Sequence, residues 1–275
     1  MAITTLDGLI AGFQAPWSIY KVGSAMEAAG VPHSFFYSAG FPGAGSAPSP
    51  GIDGAAITSV TGQLFYDNPS GGNYGYLARF AACINASNPG VLLLCDRLWH
   101  NSGIAPATTT GQSITSAALP ARDRNGSTNG EDVMFAIEVS TATTNGSAIT
   151  NTTLSYVNSD NTGGTRTATI PSFPATAVAG TFVPFVLQAG DKGIRSISSI
   201  TLGTSYAPSG SPAIHLIGYR ILARIAMLGS NSGVEVDAIS GGLTRLYDNT
   251  CPFLVYIPTA TSAVNIHGSI TYAHG

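Results

Sequence analysis

Charge is what this sequence has least of. Charged residues make up 9% of its 275 positions, against about 25% in an ordinary soluble domain. Lysine is nearly missing, with Lys21 and Lys192 the only two. The net charge is −3, with no block of like charge. No basic footprint for a phosphate backbone exists, so nucleic acid is not an expected partner. Solubility must come from Ser, Thr, Asn and Gly, or the surface must be covered by neighbours.

Cysteine is scarce as well. Cys83, Cys95 and Cys251 are an odd count without a CxxC pair, and they read as small buried hydrophobes. Cys83 and Cys95 flank a turn at residues 85–90, where a simple hairpin register sets neither opposite the other, so no disulfide is expected between them. No apolar run approaches the roughly 20 residues of a membrane helix. The opening Met1-Ala-Ile-Thr-Thr has no basic n-region. The expected setting is therefore synthesis in a cytoplasm, with no membrane partner.

Motifs for chemistry are missing too. His33, His100, His215, His267 and His274 are scattered, with no HxH or HExxH, so no metal and no cofactor is expected. The GxSxG elbow is absent. Glu131-Asp132 and Glu235 with Asp237 are acid pairs by proximity alone. The Asp160-Asn161 turn lacks a further acid at calcium-loop spacing. Gly43-Ala-Gly45 lacks the Gly-Lys-Ser/Thr ending of a phosphate loop. The densest polar patch is Asp96-Arg97 with Trp99-His100. Strand alternation puts Arg97 and Trp99 on one face and Asp96 on the other, which reads as a structural ion pair at a strand end. No catalytic residue is assigned, and the chain is expected not to be an enzyme.

What is present is strand grammar. Residues 149–157 and 165–170 are Thr-, Ile- and Tyr-rich runs separated by Asn, Asp and Gly, the pattern of a β-hairpin. Gly190-Asp191-Lys192-Gly193 is a turn between two more strands. Residues 76–84 and 91–99 are almost continuously apolar, as in strands covered on both faces. Val133, Phe135, Ile137 and Val139 alternate with Met134, Ala136 and Glu138, the pattern of a half-buried strand. Residues 213–227 suit a strand, although 219–228 also allow a helical turn or two. Val264, Ile266, Ile270 and Tyr272 share one face of a closing strand that belongs inside a sheet. The expected fold is all-β, an antiparallel β-sandwich or jelly roll with little helix.

The start differs. Leu6, Leu9, Ile10 and Phe13 fall at helical spacing after a possible Thr5 cap, and residues 16–22 look like a strand. Residues 38–62 are almost pure Gly, Ala, Pro and Ser. They offer too little apolar area to offset the roughly 1–2 kcal/mol per residue of backbone ordering, so they read as an extended connector, flexible or laid on a neighbour. Two regions are expected: an extended N-terminal interaction arm at 1–62, anchored by Leu6, Leu9, Ile10 and Phe13, and an antiparallel β domain at 63–275, as one sandwich or two packed sub-sandwiches, which folds without the arm; the alternative for the helix is an ordinary one packed on its own domain.

Three segments carry a resemblance. They are Met1-Ala-Ile-Thr-Thr-Leu-Asp-Gly-Leu-Ile with Phe41-Pro-Gly-Ala-Gly-Ser-Ala-Pro; Leu94-Cys-Asp-Arg-Leu-Trp-His-Asn-Ser-Gly103; and residues 154–170 with Leu187-Gln-Ala-Gly-Asp-Lys-Gly-Ile-Arg-Ser-Ile197. In composition and phrasing the chain resembles virion structural proteins of tailed bacteriophages, of the head-decoration or minor-head type. That resemblance implies a non-enzymatic cement protein in the virion, assembled in the host bacterial cytoplasm. Its implied partners are the major capsid protein or other virion proteins, and its implied state is a homo-oligomer such as a trimer. The competing reading is a tail- or fibre-associated adsorption module for a host glycan, with Tyr66, Tyr74, Tyr76 and Trp99 as an aromatic platform.

Overall fold

The computed structural model describes residues 2–23, 28–85, 87–207 and 211–275. In chain order the elements are helix α1 (Leu6–Gly12) and strands β1 (Trp17–Lys21), β2 (His33–Ser34), β3 (Gly40–Phe41), β4 (Ala55–Ala56), β5 (Gly75–Ile84), β6 (Gly90–His100), β7 (Gln112–Ser113) and β8 (Met134–Thr141). They continue with β9 (Ile149–Asn158), β10 (Arg166–Phe173), β11 (Phe182–Pro184), β12 (Ile194–Thr201), β13 (Ala213–Met227), β14 (Val234–Asp237), β15 (Thr244–Leu246), β16 (Pro252–Pro258) and β17 (Ile266–His274). Strand accounts for 42% of the chain and helix for 3%, which is the expected all-β class.

Three antiparallel sheets are formed. The first runs β14-β5-β17-β1-β3, with β15 also on β5. The central sheet runs β11-β8-β13-β6-β16-β2, with β4 on β6, and the third runs β10-β9-β12-β7. The central sheet serves two cores. Leu92, Leu94, Leu222, Ile225 and Leu254 pack against Phe80, Ile84, Ile266 and Ile270 of the first sheet. Further along the same strands, Leu98, Trp99, Ile214 and Leu216 pack with Leu154, Tyr156, Ile170 and Ile200 of the third. Successive residues of a strand point to opposite faces, so Leu93 and Cys95 enter a separate cluster with Phe36, Phe182 and Phe253. That is why β6 reads as a nearly unbroken apolar run.

The hairpin forms as expected, with Arg166 opposite Tyr156 and Ile170 opposite Thr152. Pro171 is accommodated because β10 lies at a sheet edge, where a missing N–H costs no ladder bond. The closing strand β17 sits between β5 and β1. Residues 213–227 form one strand without a helical turn, bulged at two places against β6. β8 corrects the half-buried expectation: Glu138 is fully buried along with Phe135, Ile137 and Val139, because Phe36 and Tyr37 pack over that face and Tyr37 and Arg97 meet the carboxylate inside.

The expected separate arm at 1–62 is corrected for most of its length. β1 pairs with β17 from Trp17↔Ile270 to Lys21↔Ile266, and Ile19, Phe35, Phe36 and Ile57 are buried. The Gly/Pro-rich connector is extended, but it lies on this chain's own strands. Gly45 N–H donates to the Phe36 carbonyl, Ile57 N–H to Leu98 and Leu64 N–H to Pro252. Its lack of bulk is what allows the approach. Gly54, at φ +69°, lies flat on the Trp99 indole, where a Cβ would overlap the ring.

Candidate functional site

Helix α1 is a platform rather than a loose tail. Thr5 caps it, its hydroxyl accepting from the Gly8 N–H at 3.1 Å, a contact that satisfies one orphan donor of the first turn. Leu9 is 6% exposed and packs on Ala78 and Ala273 of the first sheet. Gly12 abuts the His274 carbonyl so closely that a Cβ would clash. Beyond the helix, Gln14 N–H donates to the Tyr272 carbonyl at 2.9 Å. Anchored at these points, α1 turns Leu6 and Ile10 outward, 59% and 57% exposed, and Phe13 just after it is 48% exposed. Leu6 and Ile10, at i and i+4, share one helix face, and Phe13 follows just past the helix end in extended backbone bridged to Ala273. Of the four residues singled out by spacing, three form a displayed face and Leu9 is the anchor beneath it.

The Asp96-Arg97-Trp99-His100 patch is taken apart by a bulge. Gly218 faces Trp99 while Tyr219 faces Arg97, so Leu98 is an extra residue and Trp99 no longer shares a face with Arg97. Trp99 lies beside Phe135 in the third-sheet core. Arg97 sits over the Phe36 ring, 4.2 Å from its centre. It forms a two-pronged pair with Glu138, Nη1 to Oε1 at 3.1 Å and Nη2 to Oε2 at 2.7 Å. Tyr37 Oη also donates to Glu138 at 3.0 Å. Burial pushes the Glu138 carboxyl up, but the Arg97 charge and these hydrogen bonds outweigh it and hold it below its usual range. Asp96 pairs on the other face with Arg122 at 3.2 Å. Burial keeps its carboxyl raised, offset only in part by Arg122 and by the Cys251 N–H. The expected Asp96–Arg97 pair does not form: Arg97 pairs with Glu138 on β8, and Asp96 with Arg122 in the loop between β7 and β8.

Sequence reading missed a hydroxyl–imidazole pair. Ser140 Oγ lies 2.7 Å from His215 Nε2, and His215 Nδ1 lies 2.9 Å from the Asn101 carbonyl oxygen. A carbonyl only accepts, so Nδ1 carries the proton and Nε2 accepts from Ser140. His215 is buried, and Ser140 beside it is half-buried. Lys21 is buried in the first sheet, its Nζ donating to the carbonyls of Ser38 and Gly43. Burial pulls its ammonium down to about 8. Gly43-Ala-Gly45 thus binds this lysine and Phe36.

The remaining candidate acids have local roles. Asp132 pairs with Arg124 at 3.3 Å and Glu235 with Arg79. Asp237 Oδ1 accepts from the N–H groups of Ile239 and Ser240. Asn161 takes a left-handed turn conformation at φ 52°. Among the described residues, no three His, Cys, Asp or Glu side chains gather as a metal site. All three cysteines are free thiols, and burial pushes the Cys251 thiol up to about 12.

The proposed aromatic platform is only partly assembled. Trp99 and Tyr76 are buried, and Tyr66 packs edge-on against Tyr272. Tyr74 is 43% exposed and lines a cleft of about 450 Å³ with Tyr247, Arg245 and Asp248.

No family model matches this chain, and no curated protein matches it. Among solved structures, the infectious bursal disease virus VP2 subviral particle aligns at 11% identity over 99% of this chain and 83% of that one, with a TM-score of 0.18. The infectious bursal disease virus Gx strain aligns at 11% over 96% and 81%, with a TM-score of 0.22. Both are virus structures. TM-scores this low do not amount to a shared chain path, and the likeness carries nothing about the role of this chain.

Proposed function

We propose that this chain is a non-enzymatic structural subunit of a bacteriophage particle, a capsid decoration or cement protein that docks through α1. The observation that carries this reading is the display of Leu6 and Ile10 on a helix fixed from below by Leu9, with exposed Phe13 directly after the helix end. An unanchored tail would collapse or fray. A fixed apolar stripe in a chain with 9% charged residues is suited to burial against a neighbour. Fully burying each such side chain yields roughly 1.5–3 kcal/mol, and a shell repeats that gain at every subunit. The phrasing shared with phage head proteins supports the same setting, with the major capsid protein as the partner and a symmetric homo-oligomer, a trimer, as the docked unit.

The test is co-sedimentation with phage shells stripped of this protein. The wild-type chain pellets with the shells. A variant carrying Leu6→Ser, Ile10→Ser and Phe13→Ser stays in the supernatant while melting as the wild type does. Equal pelleting of the two removes the reading.

A further inference from the structure

The cleft lined by Tyr74, Tyr247, Arg245, Asp248, Asn249 and Arg122 has the make-up of a ligand site. Its central group is Arg245 on β15, directly opposite Tyr76 on β5. The guanidinium carbon lies 3.4 Å from the centre of the Tyr74 ring, 5.3 Å from Tyr247 and 5.4 Å from Tyr76. Three rings hold the plane of the fork, and Nε donates to the Leu246 carbonyl at 3.1 Å. Among the described residues no carboxylate lies within ion-pair distance of Arg245, and its terminal N–H groups have no protein acceptor. A stacked guanidinium with a free fork is pre-organised to take a carboxylate through two hydrogen bonds.

The surroundings reinforce the positive field. Arg220, almost wholly buried, sits 5.5 Å from the Tyr247 ring centre and donates to the Arg245 carbonyl at 3.0 Å. It too lacks a carboxylate at pairing distance among the described residues, and its Nε is buried without a partner. Arg122 is neutralised by Asp96. Arg245 therefore stands in the cleft without a paired carboxylate among the described residues, while Arg220 behind it lies in the field of the buried Asp96. The exposed side offers different chemistry. Tyr74 presents ring surface to solvent, and the Asp248 carboxylate is exposed with no hydrogen bond among the described residues. The Asn249 side-chain oxygen Oδ1 accepts from Asn68 Nδ2–H, which leaves its side-chain N–H₂ to donate.

We propose that this cleft binds an acidic sugar residue, its carboxylate on the Arg245 fork, its C–H face on Tyr74 and its hydroxyls on Asp248 and Asn249. A bare anion would not need the exposed ring or the Asp248 carboxylate, and a neutral sugar would leave the Arg245 fork unanswered. The site uses no residue of α1, so it stands or falls separately from the docking role of that helix.

The test is ligand-observed saturation-transfer NMR on the full chain with glucuronic acid, N-acetylneuraminic acid, glucose and sodium acetate. Transfer from at least one of the two acids, with none or about tenfold weaker binding for glucose and acetate, is the expected pattern. Arg245→Gln and Arg245→Lys should each weaken the acid about tenfold or more, the lysine variant failing because it keeps the charge but loses the stacked fork. Tyr74→Ala tests the ring from a loop position and keeps the site testable if the Arg245 variants do not fold. No transfer from either acid, or unchanged binding in Arg245→Gln or Tyr74→Ala, overturns the proposal. Acetate binding as well as the sugar acids reduces the cleft to an anion site and overturns it equally.

Discussion

Arg97 on β6 and Glu138 on β8 meet across the intervening strand β13 as a two-pronged ion pair with both side chains at 0% exposure. Removing one partner strands the other charge in the interior, which costs about 3–5 kcal/mol. Glu138→Gln and Arg97→Met are each expected to lose that much in urea denaturation. The double variant Arg97→Met with Glu138→Leu should recover most of the loss, since a well-packed apolar replacement of a buried pair is often neutral. A double variant as unstable as the sum of the two singles would show that the pair is not the unit of stabilisation.

His100 sets an acid limit. Burial, then the nearby Arg97 charge, pulls its imidazole down to about 4, and its Nδ1 is buried without a partner among the described residues. The unfolded chain binds this proton near 6.5 and the folded chain only near 4, so the unfolded state carries more protons between those values. Stability is full above pH 6.5 and declines as pH falls toward 4, by up to about 3 kcal/mol. His215, also lowered by burial, acts in the same direction. Glu138, with its depressed carboxyl, adds a further loss only below the usual carboxylate range. Urea midpoints at pH 7 and pH 4.5 should differ clearly in the wild type and by less in His100→Gln. Equal differences would remove His100 as the cause.

Truncation separates the two uses of the N-terminal segment. Deleting residues 1–13 removes α1 and the burial of Leu9, about 1.5–3 kcal/mol, and should leave a cooperatively melting β domain. Deleting residues 1–62 also removes β1 and the buried Ile19, Phe35, Phe36 and Ile57. At roughly 1.5–3 kcal/mol each, their sum is comparable with a whole net stability of about 5–15 kcal/mol. That chain should not fold. Circular dichroism melts of the two products decide the matter, and a folded 63–275 fragment would restore the boundary that composition alone suggests.

Much of this fold is legible because its signals are local. The hairpin at β9 and β10 declares itself through Thr/Ile alternation and an Asn-Asp-Gly turn, and Thr5 marks the start of α1. The connector misleads because β2, β3 and β4 are two-residue strands without a periodic signal. They exist through their pairing with β16, β1 and β6. Glu138 looks solvent-facing until Arg97, 41 residues away, is placed beside it. Helical spacing groups Leu6, Leu9, Ile10 and Phe13 but does not reveal that Leu9 is the one facing the sheet. Tyr74 and Tyr76 stand out from composition. Arg245 lies on β15 with Tyr247 just past its end, a pairing that acquires meaning only when β15 is set against β5.

Docking through α1 is tested most directly by a photo-crosslinking amino acid placed at Ile10, 57% exposed, with Val186, 62% exposed, as the control position. Irradiated in assembling particles, the Ile10 probe should yield a covalent adduct with the major capsid protein, and the Val186 probe should yield little. An adduct at Val186 with none at Ile10 would contradict the account.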